Sequence, residues 1–210
     1  MAQPETRMRS PRKVRPSSIK TEVANIKRQR ILAEATDLFF EHGYAATTLE
    51  SVAERMNVTK PFIYSYFANK AEILTAVCET GIDESLAALD RGEHEAVKAL
   101  NQLRIAMAAA GRAVIRVQKY VVVYQRELKS LDPADARRIL EKRQQFDVKV
   151  AAILARGIEE GDMRVANPAM TSVWIGGLLS WISVWYNPLG RRKQDEVVAE
   201  FVAAVERLVA

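Results

Sequence analysis

One cysteine, Cys78, stands in 210 residues, so the chain cannot close an internal disulfide, and a small core residue is the natural role for it. Histidine is almost as scarce. His42 and His94 are far apart and no His/Cys grouping has metal-ligand spacing, so no metal and no cofactor is expected. No Ser/His/Asp, Cys/His or paired-carboxylate constellation is identifiable and no GxxxxGK[ST] loop is present, which argues against catalysis and leaves no catalytic residue to name. Long apolar runs are missing too. "IAMAAAG" from Ile105 and "VWIGGLLSWISVWY" from Val173 fall short of the roughly 20 residues of a membrane span or are interrupted. The basic start is not followed by an apolar stretch with a cleavage site, so the expectation is no leader, no membrane contact and a cytoplasmic protein. Sustained period-two alternation is absent, which excludes a sheet.

What is present is 49% hydrophobic composition, enough for a substantial core, and an uneven charge. Residues 1–30 hold nine Lys or Arg against Glu5 and Glu22, a local +7, so with +5 overall the remainder sums to about −2. A basic arm on a near-neutral body points to a polyanion: nucleic acid first, an anionic membrane surface second, with a merely solubilising tail as the competing reading. Pro4, Pro11 and Pro16 among Ser, Arg and Lys make 1–22 a flexible arm.

From about Val23 to Glu41, Ile31, Leu32, Ala35, Leu38 and Phe39 recur at helical spacing up to a stop at Gly43. Thr48 then precedes "LESVAERM", a short helix with Leu49, Val52, Ala53 and Met56 inward, ended by Asn57, which tolerates a left-handed turn. Thr59 caps a third helix with Pro61 in its first turn, ending near Phe67. Asn69 caps a long connecting helix toward Leu89. Further helical stretches cover about 94–109, 112–130, 134–160, 168–186 and 193–209, with Asp132-Pro133 and Asn167-Pro168 as cap signatures. The chain reads as all-α, about nine helices.

Two short helices joined by a tight turn and preceded by a longer one are the parts of a helix-turn-helix, whose second helix enters a major groove. "VTKPFIYSYFANK", residues 58–70, is then the recognition element. Val58, Ile63 and Phe67 face the supporting helices. Lys60, Pro61, Phe62, Tyr64 and Tyr66 stay outside, where hydroxyls, ring edges and an ammonium can address phosphates, thymine methyls and guanine acceptors. Lys70 suits a phosphate, as do Thr48 and Thr59 at helix starts. The competing reading is that these rings are ordinary bundle core.

"ILAEATDLFFEHGYAATT" followed by "TTLESVAERMNVTKPFIYSYFANKAEIL" resembles the N-terminal domain of TetR-type transcriptional regulators through Thr47, Thr48, Val52, Ala53, Val58, Thr59, Tyr64, Tyr66, Phe67 and Lys70. Asn57 stands where that family usually has Gly, and Phe62 where it commonly has a small or hydroxyl residue. The resemblance implies a helix-turn-helix domain over 23–69 contacting DNA through Thr48, Thr59, Lys60, Pro61, Phe62, Tyr64, Tyr66 and Lys70. It also implies an effector-binding and dimerisation domain over 70–210. Arg9, Arg12, Lys13 and Arg15 would add salt-dependent phosphate contacts.

Such proteins pair to read two half-sites of a palindromic operator. The stripes Val173, Trp174, Gly177, Leu178, Trp181, Trp185 and Val197, Val198, Phe201, Val205, Leu208 are the dimer candidates, with Val173, Gly177, Trp185, Phe201 and Val205 as the interface residues. Closing the monomer's own core is the alternative. An effector pocket lined by Met107, Tyr120, Val121, Tyr124, Phe146, Val150, Trp174, Leu178 and Trp181 is expected, with Arg116 or Arg126 supplying charge. Core packing competes for each of these residues. "KYVVVYQREL" and "WISVWYNPLGRRKQDEV" resemble the sensor half of regulators of fatty-acid and steroid catabolism, several of which respond to acyl-CoA thioesters. Arg112, Arg116 and Arg191 would suit the coenzyme's phosphates. The function implied is a homodimeric repressor released from double-stranded DNA by a small hydrophobic effector, an acyl-CoA thioester being the named candidate. A non-specific architectural DNA-binding protein and a helical enzyme are the rivals.

Overall fold

The structure, a computed structural model, describes residues 16–91 and 98–210. The arm residues Arg9, Arg12, Lys13 and Arg15, with His94, lie outside the described residues. Among the described residues nine α-helices follow one another: α1 Pro16–His42, α2 Leu49–Met56, α3 Lys60–Tyr64, α4 Lys70–Arg91, α5 Ala99–Arg116, α6 Gln118–Glu127, α7 Pro133–Glu159, α8 Pro168–Trp185 and α9 Gln194–Val209. A single 3-10 turn, Leu128–Ser130, leads out of α6. No strand occurs among the described residues.

Local chemistry explains most boundaries. Thr48 closes a reciprocal cap: its Oγ1 accepts from Ser51 N–H at 3.1 Å and its own N–H donates to Ser51 Oγ at 3.1 Å. Asn57 ends α2 at φ 53, ψ 47, the left-handed conformation that asparagine adopts at lower cost than most residues. Asp132 accepts from Ala134 N–H at 2.9 Å and Asp135 N–H at 3.1 Å, and Asn167 accepts from Met170 N–H at 3.0 Å, each ahead of a proline in the first turn.

Three boundaries differ from expectation. Residues 16–22, assigned to a flexible arm, are helical: Pro16 occupies a first turn where its missing N–H costs nothing, and the segment runs on without a break into the rest of α1. The third helix stops at Tyr64, with Ser65 N–H closing back on Pro61 O at 3.1 Å. The expected gap at 110–111 is helix interior; the break falls at Val117. Gly111 serves close packing there, since a Cβ on it would stand 3.4 Å from Val198.

Two apolar clusters make the core. One joins α1–α3 to the start of α4 through Ile31, Phe39, Val52, Ile63, Phe67 and Leu74 and includes Val123, Leu131 and Ile139 from beyond α4. The other is built by α5, α7, α8 and α9 around Leu103, Met107, Leu154 and Ile175. Helix α4 belongs to both: Ile73, Val77, Cys78 and Ile82 to the first, Ala88 and Leu89 to the second. Cys78 is buried, as its sequence context suggested. A ladder of polar pairs fixes α4 to α7: Thr75–Asp135, Glu79–Arg138, Asp83–Lys142 and Asp90–Lys149, offset by 59 or 60 residues at every rung. A constant offset means the two helices run parallel.

Candidate nucleic-acid interface and ligand cavity

Helix α2 buries Leu49, Val52, Ala53 and Met56, and α3 buries Ile63, so the two short helices are held edge to edge on α1. Thr48, Thr59, Lys60, Pro61 and Tyr64 are exposed. Phe62 and Tyr66 are half-buried, their ring centres 5.2 Å apart, with the Lys27 ammonium 5.8 Å over Phe62. Both pack on the core at their base, which fixes their direction. Phe67 is buried beneath the guanidinium of Arg28, 3.9 Å from its ring centre.

Two basic residues are already engaged. Lys60 is ion-paired with Glu50 of α2 and lies 5.7 Å over the Tyr64 ring. Their hydrogen bond, first, holds the Glu50 carboxyl below and the Lys60 ammonium above the ordinary range. Lys70 donates to Tyr44 O at 2.8 Å and Thr47 O at 2.7 Å. The sequence suggested a phosphate for Lys70; the structure gives its donors to the turn between α1 and α2.

The expected pocket residues separate into three groups. Tyr124 and Phe146, with Val121, line a small, partly open cavity of about 50 Å³ bounded also by Gly81, Val114, Arg143, Gly176 and Leu179. Met107 and Val150 are fully buried core, and Tyr120 bridges the two clusters. Trp174, Leu178 and Trp181 are 57, 43 and 60% exposed and point away from this cavity, because the opposite side of α8 is the one buried on α5 and α7. Arg116 pairs with Glu84 at the surface at 2.5 Å. Arg126 reaches toward Phe40 of α1, 5.5 Å from its ring centre. Arg112 faces Asp195 at 3.6 Å, and Arg191 borders a separate surface groove.

The charge that faces the cavity is Arg143, held by Asp147 at 2.5 Å. The sequence carried a signal for it: along α7 the inward positions are Ile139, Phe146, Val150 and Leu154, and Arg143 and Asp147 interrupt that stripe. Burial pushes the Tyr124 phenol up, an effect that Arg143 opposes.

On the outside of α8, Val173, Trp174, Leu178, Trp181, Val184 and Trp185 form a continuous exposed apolar face, and Gly177 has open space above its Cα. The two α9 residues expected at a dimer interface are placed differently. Phe201 and Val205 are 7% and 1% exposed, because the apolar stripe of α9 packs on α5 within the chain. A groove of about 530 Å³ between Trp181, Trp185, Glu200 and Ala204 continues the exposed face.

Contacts between the N-terminal helices and α6 had no strong sequence signal. Lys119 meets Asp37 at 2.6 Å, and Tyr44 N–H donates to Glu127 at 3.4 Å. Gln118 ties α6 to α8 through the carbonyls of Ser183 and Tyr186 at 2.8 and 2.6 Å. No helix among the described residues is long and apolar enough to cross a membrane, and no acidic, His or Cys group there could hold a metal.

A short α2–turn–α3 unit on a long α1, joined by α4 to a helical body with a small cavity, defines a helix-turn-helix regulator with an appended C-terminal domain. Residues 31–77 match the model of bacterial regulatory proteins of the tetR family, and residues 96–209 that of the tetracyclin repressor-like C-terminal domain. The chain belongs to the TetR family of transcriptional regulators. It is 30% identical over 154 residues to the HTH-type transcriptional regulator YfiR of Bacillus subtilis, covering 69% of this chain and 72% of that protein. It is 26% identical over 186 residues to the HTH-type transcriptional repressor KstR2 of Mycobacterium tuberculosis, covering 86% and 92%. The crystal structure of AibR in complex with isovaleryl coenzyme A and operator DNA shares its fold, with a TM-score of 0.73, 21% identity and coverage of 85% and 97%.

Proposed function

We propose that the protein is a homodimeric repressor that reads a palindromic operator through Thr48, Thr59, Lys60, Pro61, Phe62, Tyr64 and Tyr66, and leaves it when an acyl-CoA thioester enters the cavity between α4, α6, α7 and α8. The observation that carries the reading is the division of α3: Ile63 is buried while Lys60, Pro61 and Tyr64 project outward, beside an α2 closed by the reciprocal Thr48–Ser51 cap; Thr59, expected to cap α3, makes no side-chain cap bond. Exposed rings and an ammonium at that position match major-groove readout. Repression agrees with the KstR2 likeness, and the acyl-CoA class with the fold shared with AibR.

The release step follows from volume. A cavity of about 50 Å³ is far below the roughly 300 Å³ at which ligand pockets begin, so an acyl chain must part the helices that line it. Gly81, Ile82 and Ser85 of α4 are among the lining residues, and the same helix supplies Ile73, Leu74 and Val77 to the N-terminal core. Displacing α4 therefore re-aims α3. An effector that favours the displaced arrangement lowers operator affinity by its preference between the two.

Selection from a random double-stranded DNA library tests the reading. A two-fold symmetric motif should be enriched, and isovaleryl-CoA or a longer acyl-CoA should release the protein from it. Uniform retention of all sequences, insensitive to acyl-CoA, would instead mark a non-specific architectural protein.

A further inference from the structure

The cavity wall carries a partly buried ion pair in an otherwise apolar stripe. Arg143 Nη1 lies 2.5 Å from Asp147 Oδ1, with the two side chains 27% and 19% exposed, in a stripe otherwise filled by Phe146 and Val150. Taking two charges this far out of water is costly, and a pair of aliphatic residues in such a place commonly gives equal or greater stability. Helix α8 also makes room for the pair. A Cβ on Gly176 would come within 2.5 Å of Arg143 Nη2 and 3.2 Å of Asp147 Oδ1, so glycine at 176 keeps the guanidinium seated against α8 at the cavity. The remaining lining is apolar or hydroxylic: Val121, Tyr124, Phe146, Leu179 and two serines whose hydroxyls donate to their own helices. Arg143 is the charged side chain among them.

We propose that Arg143 is the anchor for the polar end of the effector's acyl group, taking an acyl oxygen in exchange for the Asp147 carboxylate. The apolar body of the ligand then lies against Val121, Phe146 and Leu179. A guanidinium presents five donors in a planar fork, so it can engage a carboxylate or a thioester carbonyl while still touching Asp147 or after releasing it. Asp147 is the internal competitor: it keeps the guanidinium paired and sets a threshold that the ligand must overcome. The assignment rests on the effector reading of this cavity and names the chemistry that the site selects.

The test is calorimetric titration of the full chain with isovaleryl-CoA, octanoyl-CoA and palmitoyl-CoA, with isovalerate, octanoate and palmitate as the free-acid arm and coenzyme A as control. Binding confined to the thioesters names the thioester carbonyl as the acceptor; binding confined to the acids names the carboxylate. For whichever probe binds, Arg143→Gln should weaken affinity roughly tenfold or more, because a charge-assisted bond is lost. Gly176→Ala, which displaces the guanidinium without removing it, should weaken affinity in the same direction. Asp147→Asn should tighten it, a sign that a purely structural pair would not produce. Arg104→Gln, on the surface pair with Glu206, should change nothing. Wild-type binding with Arg143→Gln within about twofold of it, or loss in Asp147→Asn equal to that in Arg143→Gln, overturns the anchor and leaves the effector reading standing. Absence of binding by every probe overturns the acyl reading and the anchor together. Thermal melts of each variant identify any that fail to fold, and Gly176→Ala then carries the comparison.

Discussion

The ammonium of Lys70 stands 4.3 Å from the centre of the Tyr44 ring and donates to the Tyr44 carbonyl at 2.8 Å. With Thr47 O at 2.7 Å, it binds the turn that delivers Thr48 to the start of α2. Lys70→Ala takes the ammonium from the Thr47 carbonyl and leaves Tyr44 O with only the Thr47 N–H at 3.3 Å, and should cost about 1–3 kcal/mol in denaturant unfolding. Operator affinity should fall while its dependence on salt stays the same, since no phosphate contact is removed. A fall of about 0.9 in the log–log salt slope would return Lys70 to the phosphate role suggested by its sequence position.

Lys60 and Glu50 pose the opposite case. Both are exposed, and the pair joins α2 to α3 on the outward face. A carboxylate there repels the DNA backbone and holds the ammonium that would meet a base or phosphate. Glu50→Gln should therefore raise affinity for DNA of any sequence, whereas Lys60→Ala should lower it and reduce the salt slope by about one if the ammonium meets a phosphate. If Glu50 instead aims Lys60 at one base pair, Glu50→Gln will broaden the motif recovered by selection, and that readout separates the two roles.

Legibility followed the chemistry of individual residues. Thr48, Asn57, Asp132 and Asn167 have side chains or backbone preferences that act within a few residues, so caps and turns were readable and the structure places each at a helix end. Glycine was less transparent. Gly43 takes φ 81 and ends α1, but Gly111 and Gly176 lie inside helices, where they admit Val198 and the Arg143 guanidinium. Nothing local distinguishes a glycine that breaks a helix from one that lets a neighbour in. The apolar stripes of α8 and α9 were visible, yet which stripe meets its own chain and which meets solvent depends on how the body closes. That is why Phe201 and Val205 are buried while Trp174 and Trp181 are outside. Arg143 was legible in principle, as a charge inside a buried stripe, and was outweighed by Arg116 and Arg126 near the aromatic string of α6.

For the proposed homodimer, the exposed face of α8 is the surface on which a second copy should bind. Trp181→Glu places a charge amid Val173, Trp174, Leu178 and Trp185, and should convert a dimer to monomer in sedimentation velocity with little change in melting temperature. Phe201→Ala should behave differently. It empties a space beside Val198 in the monomer's core and should cost roughly 3–5 kcal/mol of stability. A Trp181→Glu protein that still sediments as a dimer and binds operator unchanged would move the interface elsewhere.

Cys78 supplies a test of the core that α4 shares with α1. Burial, then the charges of Glu127 and Glu79, push its thiol up to about 12. In the unfolded chain a thiol ionises near 8.5, so the folded state holds its proton over a range in which the unfolded state has released it. The sign is that of a raised folded pKa. The contribution is complete below about pH 8.5 and declines as pH rises toward 12, by roughly 1.4 kcal/mol per unit within that window. Cys78→Ala removes this decline at the cost of a small cavity. Its stability deficit relative to wild type in urea unfolding should therefore be larger at pH 7.5 than at pH 9.5. Native protein at pH 8 should react with a thiol reagent only as fast as it unfolds, since the thiolate is the nucleophile and the sulfur is enclosed. Labelling at the rate of a free thiol would mean that α4 detaches from α1–α3 without effector, and the coupling between cavity and recognition helix would then need another route.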